Sequence, residues 1–252
     1  MVEGSYSWST QSHAGFDTTV VLVDTDEGLT GVGECCPLGP TYLPAYAHGV
    51  RAGIAQLAPH LIDKDPTQLD RINHLMDTQL KGHPYVKSAI DMACWDILGK
   101  ATGLPVYVLL GGKLQEKVTL YKVVSRADPN AMAERIPEYR DKGFHQFQVK
   151  VGEDPSTDII RIHRVAEEME AGEVLNADAN TGWKQHEALQ VAHGIADIGK
   201  QTGIRLTFEQ PCLSYHECLA VRQHTNLPFV LDECMDSINA LLQAQHDHAM
   251  DM

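Results

Sequence analysis

Residues 16–24, FDTTVVLVD, are rich in β-branched side chains and alternate in character. The Asp26-Glu27-Gly28 turn leads from them into a second run, LTGVGE, so the pattern predicts an antiparallel hairpin. From about Tyr46 to Gly103 the texture turns helical, with apolar residues three or four apart in YAHGVRAGIAQLAPHLI, LDRINHLMDTQL and VKSAIDMACWDILGKATG. Pro66 and Pro84 stand near two of the helix starts, where a missing N–H costs nothing. Beyond Leu109-Leu110-Gly111-Gly112 strand and helix patterns alternate strictly: VTLYKVV, AMAERIPEYRDKG, FHQFQVKV, TDIIRIHRVAEEME, EVLNADAN, KQHEALQVAHGIADIG, IRLTFEQP, YHECLAVRQHT, LPFVLDE, SINALLQAQ. Repeated βα is the signature of a parallel sheet covered by helices.

Spacing makes a barrel more specific than an open sheet. Lys150, Asp178, Glu209 and Asp232 each close an apolar strand pattern, at separations of 28, 31 and 23 residues. A complete eightfold barrel uses ~31 residues per βα unit, and its chemistry sits at the C-terminal ends of its strands. These four charged groups are therefore expected at one mouth. The expected architecture is α/β: an α+β capping domain over residues 1–115, its first strand missing, followed by an incomplete (β/α) TIM-type barrel over residues 116–252. A full barrel takes ~250 residues, so about five of the expected strands fit, and the sequence reads as a fragment.

The 252 residues carry 20 Lys and Arg against 34 Asp and Glu, a net charge of -14, and no basic cluster. A nucleic-acid partner is not expected, because phosphate binding concentrates positive charge on one face. No membrane partner is expected either: no apolar run approaches the ~20 residues of a bilayer span. The start, MVEGSYSWSTQSH, has neither a basic n-region nor an apolar h-region. Six cysteines without a CxxC spacing suit reduced thiols and a cytoplasmic protein.

Asp178, Glu209 and Asp232 form a hard all-oxygen set suited to Mg²⁺, and the absence of His or Cys at matching strand ends disfavours zinc. Each acid alone reads equally well as a cap on the helix that follows its strand. Asn180 is an outer partner of the set or an ordinary loop residue, and Glu233 an outer partner or a helix cap. Lys150 closes FQVKV on the same strand face as Gln148. It is a base at the barrel rim, its proton affinity lowered by burial and a nearby cation, or a snorkelling surface residue. Gly31-Val-Gly33 lacks the third glycine and the βαβ unit of a dinucleotide site. His246 and His248 read as a solvated helix end.

The stretch SAIDMACWDILGKATGLPVYVLLGG, followed by FQVKVG, LNADANTGW, FEQPC and FVLDE, resembles the muconate-lactonizing subgroup of the enolase superfamily over nearly the whole chain. The resemblance implies Mg²⁺ held by Asp178, Glu209 and Asp232, and Lys150 as acid/base on one face of a small carboxylate substrate whose α-proton is removed. It places specificity in loops around Ser5–Ser9 and Cys36–Tyr42, with Tyr42 as a candidate substrate contact. It also implies a homo-oligomer when full length. Many relatives carry Lys-x-Lys where this chain has Gln148, and a second lysine is expected on the sixth strand. Gln148, together with CCPLGPTYLPAY and GHPYVKSAIDMACWD, points to the branch acting on proline derivatives and to dehydration of cis-3-hydroxy-L-proline. Epimerisation of an amino-acid derivative or betaine, muconate cycloisomerisation, and an inactive metal-binding fragment remain as alternatives.

Overall fold

The structure is a computed structural model that describes residues 4–9 and 11–252. Its contacts divide the chain into two units: Phe16–Val118, and the segment ending at Gly15 together with Thr119–Met252. The early segment carries two short antiparallel strands, β1 (Tyr6–Trp8) and β2 (Gln11–His13). Backbone bonds tie it to the second half of the chain: Arg126 N–H donates to Ser7 O at 3.0 Å and Ser9 N–H to Val151 O at 3.1 Å. That pairing sets Ser5–Ser9 beside the residues that follow Lys150.

In the Phe16–Val118 unit the expected hairpin is β3 (Thr19–Asp24) paired with β4 (Thr30–Cys35). Helices α1 (Ala47–Leu61), α2 (Leu69–Gln79) and α3 (Pro84–Thr102) follow, then the single turn α4 (Val106–Leu109). Pro84 is the first residue of α3, whereas Pro66 lies ahead of α2. Leu57, Ile72, Met76, Val86, Ile90 and Cys94 form the core of this unit. Gly31 and Gly33 let α3 press directly on β4: a Cβ on Gly33 would stand 1.8 Å from Ala89 O, and one on Gly31 2.1 Å from Ala93 O. Close packing accounts for this pair of glycines without any nucleotide.

The other unit runs β5 (Lys122–Val124), α5 (Pro129–Asp141), β6 (Gln146–Lys150), α6 (Pro155–Glu167), β7 (Val174–Asp178), α7 (Gln185–Ile195), α8 (Ile198–Thr202), β8 (Arg205–Glu209), α9 (Tyr215–Arg222), β9 (Phe229–Val230) and α10 (Ile238–His246). Five parallel strands lie in chain order, and the sheet does not close on itself among the described residues. Phe147, Val149, Leu175, Ala177, Leu206 and Phe208 pack with apolar residues of the helices, such as Ile136, Ile162, Val191 and Ile195, in one core. The alternate positions Gln148, Asn176 and Thr207 are polar and belong to the opposite sheet face. β5 and β9 are shorter than VTLYKVV and LPFVLDE suggest. Each pairs on one side only among the described residues, so fewer ladder bonds extend it.

All six cysteines are free; Cys94, Cys212 and Cys218 are buried and Cys36 is exposed. His246 and His248 are exposed. Among the described residues no helix is long and apolar enough to cross a membrane.

Candidate active site

Parallel pairing puts Lys150, Asp178 and Glu209 in one row, Lys150 opposite Asp178 and Asp178 opposite Glu209, at the ends of β6, β7 and β8. All three are buried, Asp178 to 1% exposure and Lys150 to 6%. Lys150 Nζ donates to Asp178 Oδ2. The other carboxylate oxygen, Oδ1, accepts the Asn180 N–H at 2.9 Å. Gln148 Nε2 donates to Glu209 Oε2 at 2.9 Å, and Asn176 Nδ2 donates to the same oxygen. Thr207 Oγ1 in turn donates to Asn176 Oδ1 at 2.7 Å.

Asp232 lies two residues beyond β9 and is exposed. Its N–H donates to Gln210 Oε1 at 2.7 Å, so its position is set from the residue that follows Glu209. Glu233 turns inward: its Oε1 accepts Asn180 Nδ2 at 3.0 Å. Tyr42 belongs to the Phe16–Val118 unit, where its N–H closes a turn on Gly39 O at 3.2 Å.

None of these acids caps a helix. Lys184, Ser214 and Ser237 hold the N-terminal positions of α7, α9 and α10, and the two serines accept backbone N–H groups there. The capping reading therefore fails for Asp178, Glu209, Asp232 and Glu233 alike.

Electrostatics set the character of the row. Burial pushes the Glu209 carboxyl up to about 7, and the charge of Asp178 pushes the same way against the hydrogen bonds from Gln148 and Asn176. Burial likewise lifts Glu233 to about 7. Asp178 is raised by burial, with Lys150 opposing and Asp232 adding to the rise. Burial alone would lower the proton affinity of Lys150. The charge of Asp178 beside it, helped by Tyr6 and Glu209, instead holds it above the ordinary lysine value. Lys150 is thus an ammonium ion as it stands.

Buried carboxylates that raise one another's proton affinity are the donor set a hard divalent cation relieves. Two buried oxygens, Asn180 Oδ1 and Glu233 Oε2, have no hydrogen-bond partner, which adds unspent oxygen donors beside the row. Among the described residues no three His, Cys, Asp or Glu side chains converge as a finished metal cage. Lys150 already supplies the positive charge at Asp178. The residues fit a divalent cation in chemistry, with Asp178, Glu209 and Asp232 as the ones that would hold it.

Models of two domain families match the chain: "Mandelate racemase / muconate lactonizing enzyme, N-terminal domain" over residues 6–111 and "Enolase C-terminal domain-like" over residues 131–252. The chain belongs to the mandelate racemase/muconate lactonizing enzyme family of the enolase superfamily. Among curated relatives it is 50% identical over 250 residues to cis-3-hydroxy-L-proline dehydratase from Roseibium aggregatum, covering 99% of this chain and 66% of that protein. It is 31% identical over 235 residues to N-succinyl-L-Arg/Lys racemase from Bacillus cereus, covering 92% of this chain and 62% of the racemase. The chain therefore spans slightly less than two thirds of both. Among solved structures, an enolase-superfamily member from Roseovarius nubinhibens complexed with magnesium superimposes with a TM-score of 0.86 at 40% identity, over 98% of this chain and 65% of that one.

Three participants were not anticipated from sequence. Asn176 and Thr207 precede Asp178 and Glu209 by two residues, as Gln148 precedes Lys150, so period-two alternation carried the signal. Tyr6 reaches Lys150 through the β1–β2 hairpin, and its phenol is raised by burial against the opposing pull of the Lys150 charge. Its contact with Lys150 spans more than half the length of the chain, and no local pattern marks it.

Proposed function

We propose that this chain carries the metal site and one proton-transfer lysine of a Mg²⁺-dependent enzyme that removes the proton α to a carboxylate, with cis-3-hydroxy-L-proline or a related proline derivative as substrate. The observation that carries the reading is the buried row Lys150–Asp178–Glu209 on three neighbouring parallel strands. The 50% identity to a cis-3-hydroxy-L-proline dehydratase supports the substrate class.

In this reading Asp178, Glu209 and Asp232 hold the cation, with Asn180 and Glu233 behind them. The cation supplies positive charge against which negative charge gathers on a substrate carboxylate as its α-proton leaves. Lys150 Nζ receives that proton, which requires the amine to be neutral at that moment. A cation sharing the charge of Asp178 would weaken the ion pair that holds the ammonium, and burial would then favour the neutral amine. Gln148 positions Glu209 rather than acting as a second cation.

The test is Mg²⁺ titration by calorimetry of the parent chain and of the Asp178→Asn and Glu209→Gln variants, with solvent deuterium uptake at Cα of cis-3-hydroxy-L-proline as the second readout. Saturable binding in the parent that both substitutions abolish is the expected result. Parental Mg²⁺ affinity in either variant sinks the ligand assignment. The racemase relative motivates a second reading, α-carbon epimerisation. Deuterium incorporation without loss of the β-hydroxyl would favour it.

A further inference from the structure

One step below the Lys150–Asp178–Glu209 row lies a second row in register: Gln148 opposite Asn176, and Asn176 opposite Thr207. A layer of this kind inside a sheet would bury apolar groups at no cost, yet here three polar side chains are spent on one carboxylate oxygen. Gln148 and Thr207 are buried, and both amide donors end on Glu209 Oε2. The Thr207 hydroxyl donates to Asn176 Oδ1 at 2.7 Å, which turns the Asn176 N–H group toward Glu209. Among the described residues both side-chain hydrogen bonds to this carboxylate are on that one oxygen.

We propose that Asn176, oriented by Thr207, is a positioning residue that commits Glu209 Oε2 to protein N–H groups and so makes Glu209 a one-oxygen ligand, setting the site's preference for Mg²⁺ over Ca²⁺. Ca²⁺ takes six to eight oxygens and readily uses both oxygens of a carboxylate; Mg²⁺ demands six-coordinate geometry with single-oxygen carboxylates and retained water. Holding one oxygen with two N–H donors taxes the two-oxygen mode and leaves the one-oxygen mode intact. The inference rests on Glu209 being a ligand, as proposed above.

The test compares Mg²⁺ and Ca²⁺ affinities by calorimetry for the parent chain and for Asn176→Leu, Thr207→Val and Thr207→Ser. Loss of an outer-shell partner usually changes metal affinity about 10- to 100-fold. The Mg²⁺-to-Ca²⁺ affinity ratio should fall about tenfold or more in Asn176→Leu and in Thr207→Val. Thr207→Ser, which keeps the hydroxyl, should retain the parental ratio. Thr207→Val changes no side-chain volume to speak of and carries the test if Asn176→Leu does not fold. A parental ratio in Thr207→Val, or equal losses for both cations, overturns the proposal while leaving Glu209 as a ligand. A parent that takes up neither cation overturns the ligand assignment and this inference together.

Discussion

Lys150 and Asp178 face each other across neighbouring parallel strands, and the lysine Nζ donates to Asp178 Oδ2 with both side chains withdrawn from water. The pair is an internal neutralisation: the carboxylate holds the ammonium protonated, and the ammonium offsets the cost of burying the carboxylate. Removing one partner of such a pair typically costs about 3–5 kcal/mol, because the other is left buried and uncompensated. Lys150→Met should therefore melt well below the parent in EDTA. Mg²⁺ should restore more of the melting temperature in the variant than it adds to the parent, since the cation then takes over the vacated charge. Equal Mg²⁺ shifts in the two proteins would show that Asp178 does not face the metal.

Gly152, two residues past Lys150, has φ +97°, and a Cβ there would stand 2.2 Å from Ala179 O in the loop that follows Asp178. Gly143 has a similar φ of +90° but open space around its Cβ position. Gly143→Ala should cost only the backbone strain, about 1–3 kcal/mol. Gly152→Ala carries the clash as well and should be the more destabilising by urea denaturation. Equal midpoints for the two variants would mean that the loops beside the row yield freely.

How much of this was readable beforehand follows from period. In QFQVK, VLNAD and RLTFE the second and fourth residues are apolar and take the helix-facing positions, and the third and fifth are polar and fall on the other face. That alternation was enough to bring Lys150, Asp178 and Glu209 to one rim. The same alternation places Asn176 and Thr207 on the Gln148 side of the sheet, but nothing in their residue types sets them apart from ordinary strand positions. Asp232 was expected at a strand end, but β9 stops at Val230, since at the margin of the sheet it is paired from one side. Gly31 and Gly33 illustrate a different limit: a glycine pair signals close approach of something, and only the fold identifies α3 as what approaches. Tyr6 was out of reach for a third reason, its partner lying far along the chain.

Glu173, at the start of β7's lead-in, is 5% exposed and is gripped by Arg140 through Nε at 2.9 Å and Nη2 at 2.8 Å. It also accepts the Glu170 N–H at 2.9 Å and pairs with His145 at 3.1 Å. Burial raises its carboxyl, but Arg140 and the other donors outweigh that and hold it below the ordinary value of 4.5. A carboxyl depressed on folding contributes stability that is present above its unfolded value and lost as pH falls through the folded one. The stability gap between the parent and Glu173→Gln should be widest above about pH 5 and should narrow on acidification toward pH 3. Urea midpoints at three pH values check this, and a gap that does not change with pH would mean that Glu173 acts through packing alone.

Gln148 reaches Glu209 directly, its Nε2 donating to Glu209 Oε2 at 2.9 Å. A lysine at this position would set an ammonium ion against Glu209 as Lys150 is set against Asp178, giving each carboxylate its own internal cation. Two consequences follow for Gln148→Lys. Mg²⁺ would have to displace a second ammonium ion, so its affinity should fall by about tenfold or more, equivalent to about 1.4 kcal/mol or more. The carboxyl of Glu209, held at about 7 in the parent, would move down because an opposite charge favours its ionised form. In the parent near pH 7, Mg²⁺ must therefore expel a proton from a partly protonated Glu209, whereas in the variant little is left to expel. Calorimetry in buffers of different ionisation enthalpy reads both quantities at once. Reduced affinity with reduced proton release is the expected outcome; unchanged affinity with unchanged release would mean that residue 148 does not reach Glu209 and that the amide contact has no part in setting the site.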